Sequence, residues 1–196
     1  MIDLLYPLIA YLMGSISSAV LVSRLMGLPD PRTEGSNNPG ATNVLRLGSK
    51  SGAALTLLGD VLKGVIPVLL ATQMQIDTPI LALTGAAAFL GHLYPVFFGF
   101  QGGKGVATAF GVFIGLSLKI TGLLLVVWLV MAALFRYSSL AALTAACAAP
   151  VMTWWILGDT WLSLMCVGIA ALLIWRHRAN IKRLLDGSES RIGKKG

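Results

Sequence analysis

The stretch Ile120-Thr121-Gly122-Leu123-Leu124-Leu125-Val126-Val127-Trp128-Leu129-Val130-Met131-Ala132-Ala133-Leu134-Phe135 carries no charge and ends at Arg136. An uncharged apolar run approaching the ~20 residues that cross a bilayer as a helix points to a membrane span. Working outward from it, similar runs fall at 4–26, 53–73, 79–98, 106–118, 139–157 and 160–175. With 120–135 they make seven spans. The expected fold is all-α, a polytopic transmembrane helix bundle formed as one domain over 1–196, with 178–196 as a basic tail. The 106–118 run is short and is separated from the next only by Lys119. A shallow or tilted helix is expected there.

Composition agrees. The chain of 196 residues is 56% hydrophobic and 12% charged, whereas a soluble domain carries about 25% charged residues. The net charge of +7 does not indicate nucleic acid, because the basic residues flank apolar runs. Arg24, Arg32, Arg46, Lys50, Lys104 and Arg136 occupy alternate connections. Arg176, Arg178, Lys182, Arg183, Arg191, Lys194 and Lys195 follow the last run, and the opposite connections hold Asp77, Lys119 and Asp159. The positive-inside rule then places the C-terminus in the cytoplasm and the N-terminus outside. Trp154, Trp155, Trp161 and Trp175 sit where interfacial anchors belong. The first run is long, has Asp3 where a signal peptide would be basic, and reads as a retained helix. Cys147 and Cys166, each inside an apolar run, read as packed thiols.

Three polar blocks interrupt this pattern. The first is Gly35-Ser36-Asn37-Asn38-Pro39-Gly40-Ala41-Thr42-Asn43, followed by Arg46. Gly and Asn allow backbone angles that aim successive N–H groups into one concavity, which suits a phosphate or carboxylate. Arg46 would add a charge-assisted contact. The competing reading is an ordinary loop in which Thr42 or Asn43 starts a helix. The second block is Gly102-Gly103-Lys104-Gly105, a glycine turn entering an apolar run, an arrangement that binds phosphate. It is not a nucleotide-binding P-loop, because the G-x-x-x-x-G-K-[ST] spacing is absent. A tight turn with one topogenic lysine is the plainer alternative. The third block is Arg176-His177-Arg178-Ala179-Asn180 with Arg183. On one continuous helix Arg176, Asn180 and Arg183 share a face. A stop-transfer cluster explains the arginines but not His177 or Asn180, and a histidine there can carry a proton or hold a phosphate.

Asp60 and Lys63, three apart within a span, read as an ion pair or as substrate contacts facing a bundle interior. His92 reads as a packed histidine or a site member. The fifth residue after His92 is Phe97 and after His177 is Lys182, so neither begins an H-x-x-x-x-D motif. There is no H-E-x-x-H pair and no G-x-S-x-G turn. The basic blocks indicate a small anionic substrate at the cytoplasmic face, and the membrane setting indicates a lipid product.

These blocks together resemble the PlsY family, the acyl-phosphate–glycerol-3-phosphate acyltransferases of bacterial membranes. The resemblance runs through Gly14-Ser15-Ile16, Gly35-Ser36, Gly40-Ala41-Thr42-Asn43 and Asp60-Val61-Leu62-Lys63-Gly64. It continues in Gly91-His92, Tyr94-Pro95-Val96-Phe97, Gly102-Gly103-Lys104-Gly105-Val106-Ala107-Thr108 and Arg176-His177-Arg178-Ala179-Asn180-Ile181. It implies a seven-helix enzyme of the bacterial inner membrane that opens phospholipid synthesis from its cytoplasmic side. The implied reaction moves an acyl group from acyl-phosphate to the 1-hydroxyl of glycerol-3-phosphate, giving 1-acylglycerol-3-phosphate and phosphate. No cofactor or metal is expected. The soluble enzyme that forms acyl-phosphate is a candidate partner. The rival reading is a transporter of an anionic metabolite, disfavoured because no inverted repeat is visible.

The resemblance maps catalytic roles onto Ser36, Lys104, His177 and Asn180. Substrate and phosphate contacts are expected from Arg46, Asn38, Thr42, Asn43, Gly102, Gly103 and Gly105. Lys104 and its glycine loop would hold the acyl-phosphate, and the other two blocks the glycerol-3-phosphate, in one anion site assembled from three loops. Ser36 as an acylated nucleophile is disfavoured, because no His–Asp pair is spaced to activate it. Glu189 matches a tail glutamate of structural role. Ala179 stands where some relatives carry an acid, which argues against chemistry at that position.

Overall fold

The computed structural model describes residues 4–193, so Asp3 and the tail lysines Lys194 and Lys195 lie outside the described residues. Within them the chain is helical: α1 (Leu5–Gly14), α2 (Ser18–Leu25), α3 (Ala41–Arg46), α4 (Lys50–Gln73), α5 (Thr78–Leu93), a 3-10 turn (Val96–Phe98), α6 (Val106–Leu116), α7 (Leu118–Phe135), α8 (Ser138–Leu157), α9 (Thr160–Arg176) and α10 (Arg178–Leu185). Four segments are long and apolar enough to span a bilayer: α4, Thr78–Phe98, α7 and α8. Two bent pairs, α1 with α2 at 41° and α9 with α10 at 60°, bring the number to six, and α6 has 11 residues. The chain divides into two compact units, Met1–Leu116 and Ser117–Gly196.

In the first unit α4 packs against α1, α2, α3, α5 and α6. Close approach needs residues without side chains. A Cβ on Gly64 of α4 would overlap the Thr108 carbonyl, and one on Gly111 of α6 would overlap that of Val61. Small residues at such crossings let helix backbones touch, as membrane packing requires. The first apolar run is not one straight helix. It breaks between Gly14 and Ser18, and the Ile16 carbonyl accepts a hydrogen bond from Lys63 Nζ at 2.9 Å. A carbonyl released by a helix break inside a bilayer must find a donor, and the buried lysine provides it.

In the second unit α8 lies between α7 and α9. Its inner stripe is alanine: Ala141, Ala142, Ala145, Ala146 and Ala149 are buried. On α7, Leu123, Leu125, Val126, Leu129 and Val130 stay exposed, as lipid-facing residues do. Cys166 is buried against Thr153, whereas Cys147, expected to pack inward, is exposed on α8.

Two boundaries differ from the sequence reading. The break before α7 falls at Ser117, not at Lys119, because the Ser117 side chain caps α7 by accepting the Ile120 N–H. The third block is not one helix: it bends by 60° at His177. Arg176 therefore ends α9, while Asn180 and Arg183 lie on α10, and the expected shared face is cut after its first member.

Candidate active site

The first polar block is a loop built around Asn43. This side chain is 1% exposed. Its amide nitrogen donates to the carbonyls of Pro31 and Glu34, both at 2.9 Å, and its oxygen accepts the Ser36 N–H at 2.8 Å. Gly35 (φ 66°) and Asn37 (φ 53°) make the left-handed steps that turn the chain around it. Asn43 was expected to bind substrate phosphate. The structure gives it another task, because both amide donors are committed to the loop. Around it Ser36, Thr42 and Arg46 are exposed and Asn38 is half-buried. Beside the loop Asp30 pairs with Arg32 at 2.6 Å, and this hydrogen-bonded guanidinium holds the Asp30 carboxyl below its ordinary range.

The second block lies flat on the C-terminal turn of α5. A Cβ on Gly102 would overlap the carbonyls of His92 and Leu93, and one on Gly105 would overlap the Phe89 ring. Gly105, at φ 86°, needs its glycine for the turn itself. Gly103 donates its N–H to the His92 carbonyl at 3.3 Å, so this amide helps anchor the loop. The loop opens α6, whose first N–H groups have no acceptor within the helix. That end suits an anion, and the half-buried Lys104 stands beside it.

Behind this loop sits a group that sequence spacing revealed only in part. Asp60 and Lys63 are both buried and pair at 2.9 Å, as their i,i+3 spacing allowed. The third member, His92, places Nδ1 3.6 Å from Asp60 Oδ1.

In the second unit His177 is 3% exposed at the bend between α9 and α10. Its Nδ1 lies 2.8 Å from the Leu173 carbonyl. A carbonyl can only accept, so Nδ1 carries the proton and Nε2 is the basic nitrogen of the neutral ring. Asn180 is also buried and donates from Nδ2 to Glu189 Oε1 at 2.6 Å. The same oxygen accepts from Ser139 Oγ at 2.7 Å, and Arg183 Nε reaches Oε2 at 2.7 Å. Burial pushes the Glu189 carboxyl up, but the hydrogen bonds from Ser139, Asn180 and Arg183 outweigh it and hold the group below its ordinary value.

The sequence marks the tail only as basic. Up to Ile192 it is tied to the α7–α8 turn. Ile192 N–H donates to the Arg136 carbonyl at 2.7 Å, Arg136 Nη2 donates to the Ile192 carbonyl at 2.9 Å, and Arg191 Nε reaches the Tyr137 hydroxyl at 3.2 Å. Charged and backbone donors offset the entropy of ordering this segment.

The model of the family described as glycerol-3-phosphate acyltransferase matches residues 4–187. A glycerol-3-phosphate acyltransferase from Methylococcus capsulatus is 58% identical over 186 residues, covering 95% of this chain and 94% of that protein. One from Thiobacillus denitrificans is 54% identical over the whole of both chains. Two crystal structures of PlsY, an integral membrane glycerol-3-phosphate acyltransferase, are similar. The glycerol-3-phosphate form superposes with a TM-score of 0.94 at 44% identity, covering 98% of this chain and 96% of that one. The lysophosphatidic acid form gives a TM-score of 0.91 at 43% identity with the same coverage.

Proposed function

Because the chain belongs to the glycerol-3-phosphate acyltransferase family, we propose that it transfers a fatty acyl group from acyl-phosphate to the 1-hydroxyl of glycerol-3-phosphate. The products are 1-acylglycerol-3-phosphate and inorganic phosphate. The hydroxyl oxygen attacks the acyl carbonyl carbon, the bond from that carbon to the phosphate oxygen breaks, and the hydroxyl proton leaves with the departing phosphate or by way of a base. The family membership makes it an integral membrane acyltransferase acting on glycerol-3-phosphate. The acyl-phosphate donor and the residue roles below are the proposal.

Two phosphate-bearing substrates need two sets of anion-binding groups. The observation that carries this reading is the glycine turn at the start of α6 with Lys104 upon it. Helix-end amides and an ammonium together stabilise charge that grows on a leaving phosphate. Arg46, Ser36, Thr42 and Asn38 supply exposed or half-buried polar groups in the same unit. His177 and Asn180 complete the set assigned by the resemblance. With its proton fixed on Nδ1, His177 presents Nε2 for a hydrogen bond to the acceptor hydroxyl, and proton removal is open to it. Acyl-phosphate is an activated donor, so positioning and electrostatics can supply much of the rate.

The orientation belongs to the same proposal. Seven crossings, with α6 the short one, place the tail and the basic connections in the cytoplasm of a bacterial inner membrane. Soluble glycerol-3-phosphate would be taken from that side, and the acyl-phosphate-forming enzyme would deliver the donor there.

The test is phosphate release by purified protein given acyl-phosphate and glycerol-3-phosphate, without acyl-CoA or acyl-carrier protein. Folded protein that releases none would defeat the donor assignment. Lys104→Ala should lower kcat/KM by about 100-fold or more, the scale for losing a preorganised charge. His177→Gln at wild-type kcat would remove the histidine from proton transfer.

A further inference from the structure

The Asp60–Lys63–His92 group takes no part in the chemistry above, yet it is the most heavily buried set of ionisable side chains in the first unit. Asp60 is 3% exposed, Lys63 6% and His92 6%. Burying three such groups inside a membrane protein is costly, and residues of this kind commonly serve a site. Lys63 has an evident structural duty at the Ile16 carbonyl. The His92 ring points elsewhere. A Cβ added to Gly103 would overlap His92 Nε2, so the ring lies directly against that glycine. The same added Cβ would come within 2.9 Å of the Pro39 carbonyl. One point in the fold therefore joins the first polar block, through Pro39, to the second, through Gly103, with His92 filling the junction. The His92 carbonyl also accepts the Gly103 N–H at 3.3 Å. Both the ring and the backbone of one residue thus fix the glycine that precedes Lys104.

We propose that His92, held in place by the buried Asp60–Lys63 pair, is a positioning residue that sets the Gly102–Gly105 loop against the Pro39 segment and so aims Lys104 and the α6 amides at a substrate phosphate. The proposal rests on the reading that this loop binds phosphate. It explains why an ion pair is kept in an apolar helix: it orients a ring rather than meeting substrate. It also explains Gly103 without appeal to backbone freedom, since any side chain there would displace His92.

Steady-state kinetics in detergent decides the matter. The variants are His92→Leu, His92→Gln, Gly103→Ala and Lys104→Ala, each followed in KM for both substrates, kcat and thermal midpoint. A residue that only supports folding lowers the active fraction, which reduces apparent kcat and leaves KM alone. A loop that is mis-aimed binds its phosphate poorly. His92→Leu is expected to raise KM about 10- to 100-fold for one substrate, the scale of an ångström misplacement. That substrate should be the one whose KM rises in Lys104→Ala and Gly103→Ala. His92→Gln, which can place an amide nitrogen near the position of Nε2, should recover most of the loss. With His92→Ala measured as well, the double variant His92→Ala/Gly103→Ala should cost less than the product of its two single effects, because removing the ring relieves the larger overlap and leaves only the Pro39 carbonyl, 2.9 Å from the new methyl group.

If Lys104→Ala raises KM for one substrate and His92→Leu leaves both KM values unchanged, the positioning role is overturned while the phosphate loop stands. If Lys104→Ala changes neither KM nor kcat/KM, the phosphate-loop reading fails and takes the proposal with it. Should His92→Leu not accumulate as folded protein, Asp60→Asn/Lys63→Met takes its place. Removing both partners avoids leaving one buried charge alone, and an unchanged KM there overturns the proposal equally.

Discussion

The loop around Asn43 and the tail around Glu189 solve one problem with opposite chemistry. Each uses a single buried side chain to shape a polar segment beside a membrane helix. Asn43 makes three neutral hydrogen bonds to backbone groups within its own loop. Glu189 gathers two polar side chains and an arginine from α8 and α10. An amide can donate and accept, so one residue can hold a loop closed on itself. A carboxylate only accepts, so it draws in donors from elsewhere and ties elements together. The neutral hub is indifferent to pH and local in reach. The charged hub reaches farther and depends on its ionisation.

The largest expected effect comes from breaking the charged hub. Glu189→Ala strands the Asn180 amide, the Ser139 hydroxyl and the Arg183 guanidinium together. Hydrogen bonds to charged groups contribute about 1.5–3 kcal/mol, and Arg183 is partly exposed, so the net loss should be about 3 kcal/mol. It would be read as a lower thermal midpoint in detergent. Catalytic activity should fall as well, since Asn180 loses the partner that fixes its amide. Glu189→Gln keeps an oxygen for Ser139 and Asn180 and should lose less.

Breaking the neutral hub should cost about 2 kcal/mol in Asn43→Ala, because the Ser36 N–H loses its acceptor and the buried Pro31 carbonyl loses its donor. Asn43→Asp sharpens the contrast. It differs from asparagine by one group, yet it replaces two donors with an acceptor that faces two carbonyls. It should be at least as damaging as alanine. Midpoint measurements on both variants check this order, and an aspartate variant as stable as wild type would show that the loop does not depend on those donors.

What the sequence made legible follows the same division between local and distant. Apolar runs and the glycine turn before Val106 are local patterns, and the helices appear where those patterns stand. The Asp60–Lys63 pair was visible because its members are neighbours on one helix. His92 was not visible as their third member, because it arrives on another helix. The break at Ile16 was hidden for the same reason: the donor that makes it tolerable is Lys63, far along the chain. Asn43 looked like a ligand because its type suits phosphate, and only the folded loop shows its amide already occupied. Glu189 carried a structural role by resemblance alone; its partners stayed hidden because they lie up to 50 residues away.

Acid separates the hubs without any mutation. The folded Glu189 carboxyl lies below its ordinary value of 4.5. A group with a depressed folded pKa contributes stability above the unfolded value and loses it as pH falls through the folded one. Wild-type protein should therefore lose midpoint below about pH 4.5, and the loss should be smaller than that of Glu189→Ala, because a protonated carboxyl still accepts hydrogen bonds. Glu189→Gln should flatten this dependence, and Asn43→Ala should leave its shape unchanged. An acid slope that is equally steep in Glu189→Gln would assign it to other carboxylates.

The smallest effect is expected at Asp30, and it tests whether charge alone makes a hub. Asp30 also sits beside the first block, also pairs with an arginine, and is also held below its ordinary range by that partner. It differs in exposure: its side chain is 33% accessible and that of Arg32 21%. An accessible pair loses little water on forming, and solvent screens its attraction, so such pairs contribute about 0–1 kcal/mol. Asp30→Asn keeps an oxygen for the Arg32 N–H, which Asp30 Oδ1 accepts at 2.9 Å, and removes only the charge. Its midpoint should shift less than that of Glu189→Gln, and raising the salt concentration should shrink the shift further. A loss at Asp30 as large as that at Glu189 would mean that charge, rather than the burial of several donors around it, is what makes the tail hub strong.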